Sequence, residues 1–394
     1  MRTVIFGNHE KDTLRQFDHC LKEGNVVGGV LCADGHYGYS QPVGGVVVYE
    51  GQISPSGVGF DIACGNKAVK TNLVYDDIKG QISTIMDEVE KQIPFGFGRN
   101  NPHRVDHELF DDPDWDVFKE FGNDVHDELK ETARAQLGTT GSGNHYVDIL
   151  IDTKTDEVWV GNHFGSRGFG HRTATGFLNL SKGLKFFDRA PRESMDAKPT
   201  LLDLDSELGD MYFRAMTLAG KYAYAGRDYV AQQVVDILGA EAVTEVHNHH
   251  NYAWKEIHDG TEYIVVRKGA TPAWPGQLGF VGGSMADISV ILKGVESDKS
   301  KEAFYSTIHG AGRIMSRTKA AGRMNWKTRK RRGGAISHEQ MMEAVKRYGV
   351  ELRGAGTDES PFVYRKLKEV IAAHKGTIEI VHTLKPVGVV MAKD

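Results

Sequence analysis

The apolar residues of this chain fall into two kinds of run. Short, valine-rich or alternating stretches bounded by glycine or charged residues predict strands over 26–30, 44–49, 146–150, 157–160, 243–246, 263–266 and 377–381. Apolar positions three and four apart predict helices over 76–93, about 114–137, about 205–238, 336–348 and 362–374. The second helix is introduced by Asp111-Asp112-Pro113-Asp114, whose side chains suit a cap. In the third, Leu208, Met211, Tyr212, Met216, Ala219 and Tyr222 form a stripe that reads as packing rather than as a binding face. Strands and helices are interspersed, and no repeat, low-complexity block or Pro/Ser-rich linker divides them. The expected fold is α+β, one compact domain over residues 1–394.

Polar clusters stand where the predicted strands end. Gly57-Val58-Gly59-Phe60-Asp61-Ile62-Ala63-Cys64-Gly65 sets a carboxylate and a thiol three residues apart on a glycine-flanked turn, which suits one half of a metal site. Taken alone, the same stretch reads rather as a tight turn with a buried structural cysteine, and only the histidines further along shift the balance toward a metal site. Asp34 and His36 fall on a connection rich in turn formers, close enough to buttress that loop or simply solvated. His145 follows the Gly/Ser/Thr loop 137–144, whose backbone N–H groups can hold phosphate oxygens. His163 and the run His247-Asn248-His249-His250 also sit at strand ends, and neutral imidazoles massed there point to coordination by one or two of them. Gly282-Gly283-Ser284-Met285, with Ser289 a few residues on, is a second candidate nucleotide cradle. In His309-Gly310-Ala311-Gly312-Arg313, with Arg317 beyond, two glycines let a bulky anion approach the histidine, and arginines at helical spacing can pair with phosphate.

Composition adjusts this picture only at the edges. With 40% hydrophobic and 26% charged residues in 394, the chain can bury a core and a site, and its 46 glycines suit a site built on tight loops. Three cysteines without scaffold spacing, no leader-like N-terminus and no long apolar run point to a cytoplasmic protein without a membrane span. The net charge of −5 argues against general coating of nucleic acid. It leaves room for the local basic stretch from Arg313 to Arg332, which carries Trp326 and suits a polyanion such as RNA; its bland alternative is a solvated helix and loop.

In order along the chain, the motifs GVGFDIACG, GSGNHY, HFGSRG, HHNYAWKE, RKGA, GGSM and HGAGR make it resemble, over nearly its full length, the RtcB-type RNA ligases, which join RNA 3′-phosphate ends. The resemblance implies mixed and antiparallel sheets around a central metal-lined cleft. It implies two manganese ions, one on Asp61, Cys64 and His145, the other on Cys64, His163 and His250, with Cys64 bridging. The bare residues would instead suggest zinc, since soft sulfur favours it. His309 matches the family's nucleophile, which takes GMP from GTP and passes it to an RNA 3′-phosphate for attack by a 5′-hydroxyl; a 2′,3′-cyclic phosphate end is first opened by hydrolysis. Contacts to the guanylate are implied for Asn144, Asp148, Asn251, Gly282, Gly283, Ser284, Met285, Ser289, Gly310, Ala311, Gly312 and Tyr364, and contacts to RNA for Arg167, Arg313 and Arg317. The chain departs from the family's pattern at Asp148, where a glutamate is usual, and at Met391, where a lysine is usual, with Lys393 two residues on. Phe164 and Gly282 also replace the usual small residue and proline. Two other readings remain beside the ligase. One is a metal-dependent phosphoesterase or cyclic phosphodiesterase that never forms a guanylated histidine; the other is a non-catalytic RNA-binding relative.

Overall fold

The computed structural model describes residues 1–191, 193–325 and 330–393. Its centre is two sheets. The larger runs in the order Leu278–Val281, Ser289–Gly294, Ile378–Met391, Tyr146–Asp152, Glu157–Phe164, Gly65–Val74, Ala242–His249, all antiparallel, with Glu351–Arg353 added in parallel to the 378–391 strand. The smaller runs Arg2–Ile5, Val26–His36, Val43–Tyr49, Thr261–Lys268, Asn251–His258.

Strand alternation sorts the side chains. Val47 and Tyr49 join a core that includes Tyr212, Ala215 and Leu218 of the long helix Glu207–Leu238, while Val46 and Val48 join Phe6, Val30 and Val265 on the other face. Both faces are therefore covered, which is why this strand reads as a continuous apolar run. In the larger sheet Val147, Ile149 and Ile151 pack on Met86 and Val89 of the helix Ile82–Gln92. Tyr146, Asp148 and Leu150 consequently point to the opposite face, where the cleft lies.

Several expected boundaries move. The strand beginning at Val26 continues to His36, so Asp34 and His36 lie in an extended segment whose pairing shifts after Leu31 and resumes at His36–Val43, not on a connection. The 76–93 helix is two, Tyr75–Ile78 and Ile82–Gln92. The 114–137 helix is a 3-10 stretch Pro113–Phe121, capped by Asp112, followed by Asn123–Gln136, with the break at Gly122, whose φ of 125° no helix tolerates. The 362–374 helix is likewise a 3-10 turn Pro361–Val363 and a helix Leu367–Ala373, and the closing strand extends over Ile378–Met391. The helix Arg167–Leu180 and the strand Asn251–His258 had no counterpart in the apolar pattern. Arg313 and Arg317 do not share a helix: Arg313 bridges to Tyr364 and Arg317 opens the short helix Arg317–Ala321. The basic stretch continues as the antiparallel pair of strands Arg323–Asn325 and Lys330–Arg332; Trp326, Lys327 and Arg329 lie outside the described residues. No helix among the described residues is long and apolar enough to cross a membrane.

Candidate active site

The cleft, about 350 Å³, opens on the polar face of the larger sheet. The residues that the family resemblance assigns to the site all line it except His145, which stands against Asp61, and Arg167, which stands against His145.

The turn Asp61–Cys64 is closed by Cys64 N–H donating to the Asp61 carbonyl (3.1 Å). Its left-handed residue is Ala63 (φ 58°) rather than a glycine, a conformation that costs roughly 1 kcal/mol. Neighbouring groups hold it: Ala63 N–H donates to the Asn251 carbonyl (2.7 Å), and the Ala63 carbonyl accepts from Nη1 of Arg227 (2.9 Å). Arg227 is fully buried and also reaches the Phe164 carbonyl (2.6 Å), Nε2 of His247 (2.8 Å) and Nδ1 of His249 (2.9 Å). Two of the three clustered histidines thus serve this guanidinium, and only His250 turns into the cleft. Sequence spacing marks the cluster but cannot say which imidazole faces in.

Around Cys64 the ligating atoms converge. Its Sγ lies 3.5 Å from Nε2 of His163 and 3.7 Å from Nε2 of His145, which is itself 3.0 Å from Oδ2 of Asp61. The ligand atoms of Cys64, His145 and His163 all lie within 4.8 Å of one another. The His250 ring sits 5.1 Å from that of His163, and its Nδ1 has no hydrogen-bond partner. The far nitrogens are anchored: Nδ1 of His145 to the Thr140 carbonyl (2.9 Å), Nδ1 of His163 to Oδ1 of Asn66 (2.5 Å). Donation from Nδ1 leaves each Nε2 lone pair aimed at the common point, as metal-ligating imidazoles require. Burial pushes His163 and His250 well below the usual histidine range, so both are neutral. Burial would raise the Asp61 carboxyl, but the bond from His145 and the charge of Arg167 outweigh it and hold it down to about 2. Burial and the Asp61 charge drive the Cys64 thiol well above its usual range. A thiolate there needs a compensating cation, and this donor set fits a divalent metal. A second group, Asp152, Glu157 and His382, is also close-set, but its atoms are taken: Asp152 by His382 and Lys154 N–H, Glu157 by Lys70.

His309 faces the metal-capable group, its ring 4.8 Å from that of His250. Oδ2 of Asp34, with no solvent exposure, accepts from Nδ1 of His309 (2.6 Å), from its backbone N–H (2.9 Å) and from Gly310 N–H (3.3 Å). Burial raises the Asp34 carboxyl, but His309 more than offsets this, and the net shift is downward. The ring is therefore fixed with Nε2 free. Two glycines make the fit possible: a Cβ on Gly269 would stand 3.0 Å from Cε1 of His309, and one on Gly312 2.3 Å from the Asp34 carbonyl oxygen. Asn66 and Arg227 are the supporting residues that motif reading passed over; Asp34, expected to buttress the Asp61–Cys64 loop, holds His309 and Gly310 instead.

The opposite wall holds the arginines by internal charge. Arg313 donates to Glu359 (3.2 Å), the Tyr364 hydroxyl (3.1 Å) and the Asp358 carbonyl (2.7 Å); Arg317 pairs with Asp358 (2.8 Å) and Glu359. Arg167 lies behind His145, Nη1 3.3 Å from its Nδ1. Asp148 and Met391 line the inner end of the cleft, whereas Lys393 points away and pairs with Glu90 (2.8 Å), so it does not stand in for a cleft lysine. Gly282 is demanded by Tyr146, whose hydroxyl would lie 2.0 Å from any Cβ there, and Phe164 is buried among Val158, Val160 and Val230.

A carboxylate, a thiol and imidazoles around a glycine-lined cleft, with one further histidine pinned beside them, form the kind of site on which metal-dependent phosphoryl-transfer proteins are built. The chain belongs to the tRNA-splicing ligase RtcB family, whose model matches residues 21–392. It is 32% identical to the RNA-splicing ligase RtcB of Escherichia coli K12, over 90% of this chain and 87% of that one. It is 31% identical to the tRNA-splicing ligase RtcB of Thermococcus kodakarensis (91% and 86% covered) and 32% identical to that of Archaeoglobus fulgidus (96% and 91%).

Proposed function

We propose that this chain, working over its whole length as one domain, is a GTP-dependent RNA ligase that joins an RNA 3′-phosphate or 2′,3′-cyclic phosphate end to a 5′-hydroxyl end. The observation that carries this reading is the pinning of His309 by the buried Asp34 beside the metal-capable group. A ring donating from Nδ1 presents its Nε2 lone pair without a separate base, which is what a nucleophile toward phosphorus needs. Nε2 attacks the α-phosphorus of GTP; a P–N bond forms, the bond to pyrophosphate breaks, and the imidazolium Nδ1–H stays with Asp34. An oxygen of the RNA 3′-phosphate then displaces the imidazole, giving an RNA end activated by GMP. Attack by the 5′-hydroxyl forms the phosphodiester, releases GMP and gives up the hydroxyl proton. A cyclic phosphate end is opened by water before these steps.

The chain's own groups supply orientation. Asp61, Cys64 and His145 would hold one manganese ion and Cys64, His163 and His250 another. Such ions supply positive charge to the phosphoryl oxygens. Asn144, Asn251, the Gly282–Met285 run with Ser289, and the Gly310–Gly312 turn offer the donors that seat the nucleotide. Arg167, Arg313 and Arg317 are proposed to face RNA. For the last two this means sharing donors already paired with Asp358 and Glu359.

The test is intact-protein mass spectrometry after incubation with Mn²⁺ and GTP, with His309→Ala beside the unmodified chain. A GMP increment that the variant lacks is expected. Metal-loaded protein that takes no nucleotide while opening cyclic phosphate ends would replace this reading with the phosphoesterase.

A further inference from the structure

The inner end of the cleft is unlike the rest of it. Across the sheet, Tyr146 pairs with Met391 and with His163, and Asp148 pairs with Val389 and with Gly161, so these side chains share one face. The rings of Tyr146 and His163 (5.4 Å), His163 and His250 (5.1 Å), and His250 and His309 (4.8 Å) run in series toward the nucleophile. Asp148 lines the same cleft two residues along the strand from Tyr146.

Asp148 is only 5% exposed and its Oδ1 has no hydrogen-bond partner; the Tyr146 hydroxyl beside it has none either. Oδ1 lies against the bare Cα of Gly161, where a Cβ would come within 2.0 Å of it. The facing side chains that line this end, Pro386, Val389 and Met391, carry no charge and no donor. The other cleft-lining side chains with an unpartnered buried atom are His250, which faces the metal-capable group, and Glu359, which the arginines hold; here no charged side chain stands by, and unpartnered polar atoms in a cleft wall are the mark of a ligand's polar edge. An ionised carboxylate without a cation would be costly here, and the group keeps its proton instead. Burial pushes it up to about 8.

The protonation state decides which base fits. A carboxylate only accepts, so it matches the adjacent N1–H and N2–H of guanine and repels the N1 lone pair of adenine. A neutral acid donates once and accepts once. It pairs with O6 and N1–H of guanine, and equally with N1 and N6–H of adenine. Discrimination would need a second group at O6, and Met391 supplies none.

We propose that this end of the cleft is a purine subsite that does not choose between guanine and adenine, so that ATP as well as GTP charges His309. This rests on the nucleotidyl-histidine reading above. The test compares intact-mass labelling rates of the full-length, Mn²⁺-loaded chain with equal GTP or ATP near neutral pH. In parallel, calorimetry measures GMP and AMP binding to the His309→Ala protein. Labelling rates and affinities within about tenfold of each other are expected. Met391→Lys, which sets an ammonium beside O6, should favour guanine by about tenfold or more in both readouts. GMP labelling with AMP labelling slower by more than about a hundredfold overturns the subsite proposal and leaves the ligase reading intact. Absence of both adducts overturns the ligase reading, and the calorimetric preference then still decides the subsite.

Discussion

The two ends of the cleft share a strand and treat their polar groups in opposite ways. At the outer end three of the four imidazoles are fixed from behind, His145 by the Thr140 carbonyl, His163 by Asn66 and His309 by Asp34, while Nδ1 of His250 has no partner. At the inner end, three residues beyond His145, Oδ1 of Asp148 has no partner and the Tyr146 hydroxyl none. The outer end is organised before anything binds, which is where developing charge must be met without rearrangement. The inner end is left unsatisfied, which is how a site makes a ligand supply the missing bonds. Substitutions at the two ends should therefore fail differently.

The largest effect is expected at the nucleophile. His309→Ala should abolish nucleotide labelling while metal content and the unfolding transition stay close to those of the parent; labelling that persists would assign the chemistry elsewhere. Asp34→Asn should follow. The amide keeps the shape but cannot act as an anionic acceptor for both the ring and the two backbone N–H groups. Labelling should slow by about a hundredfold to a thousandfold with metal content unchanged. A loss under tenfold would mean that His309 orients itself.

Asn66 should matter less, and through the metal. Without its bond to Nδ1, His163 can rotate and change tautomer, so Asn66→Ala should weaken Mn²⁺ binding by about tenfold to a hundredfold in a competition assay with a fluorescent chelator. Labelling at saturating metal should recover most of its rate. Failure to recover would mean that Asn66 acts beyond the metal; its Nδ2 also reaches the His309 carbonyl (3.3 Å).

This contrast also explains what was legible in the sequence. Residues that project into the cleft stand at strand ends among glycines, and local patterning exposes them: the Asp61–Cys64 turn, His145, His163 and the Gly310–Gly312 turn were all visible as clusters. Residues that hold them from behind come from distant segments with ordinary surroundings. Arg227 sits inside the helix Glu207–Leu238, where nothing in the pattern separates it from a surface arginine, yet it anchors the metal-capable turn. Motif reading took the freedom of that turn from its flanking glycines, whereas Ala63 bears the left-handed conformation and tertiary bonds hold it there. Similarly, the interspersed strands and helices announced the α+β class. The strand Val26–His36 could not be bounded correctly because a glycine-rich, polar segment is kept extended by the sheet beside it rather than by its own propensity.

The smallest effect is one of stability, and it separates the two ends by pH. The folded chain holds Asp148 protonated up to about pH 8 because burial penalises its charge, against an ordinary value of 3.8. Between those values the folded state binds a proton that the unfolded chain has lost, so stability falls as pH rises through this window and levels off above it. The slope is at most about 1.4 kcal/mol per pH unit for one proton. Asp61 acts with the opposite sign, but its low value places its contribution below about pH 4, outside the window. Asp148→Asn keeps the shape and removes the titration. Urea melts from pH 5 to 8 should show the parent losing stability relative to this variant, and the difference between the two chains cancels the histidines and carboxyls they share. A flat difference would mean that Asp148 is ionised in the folded chain. The inner end would then match guanine alone, and the contrast between the two ends would reduce to one of hydrogen bonding without charge.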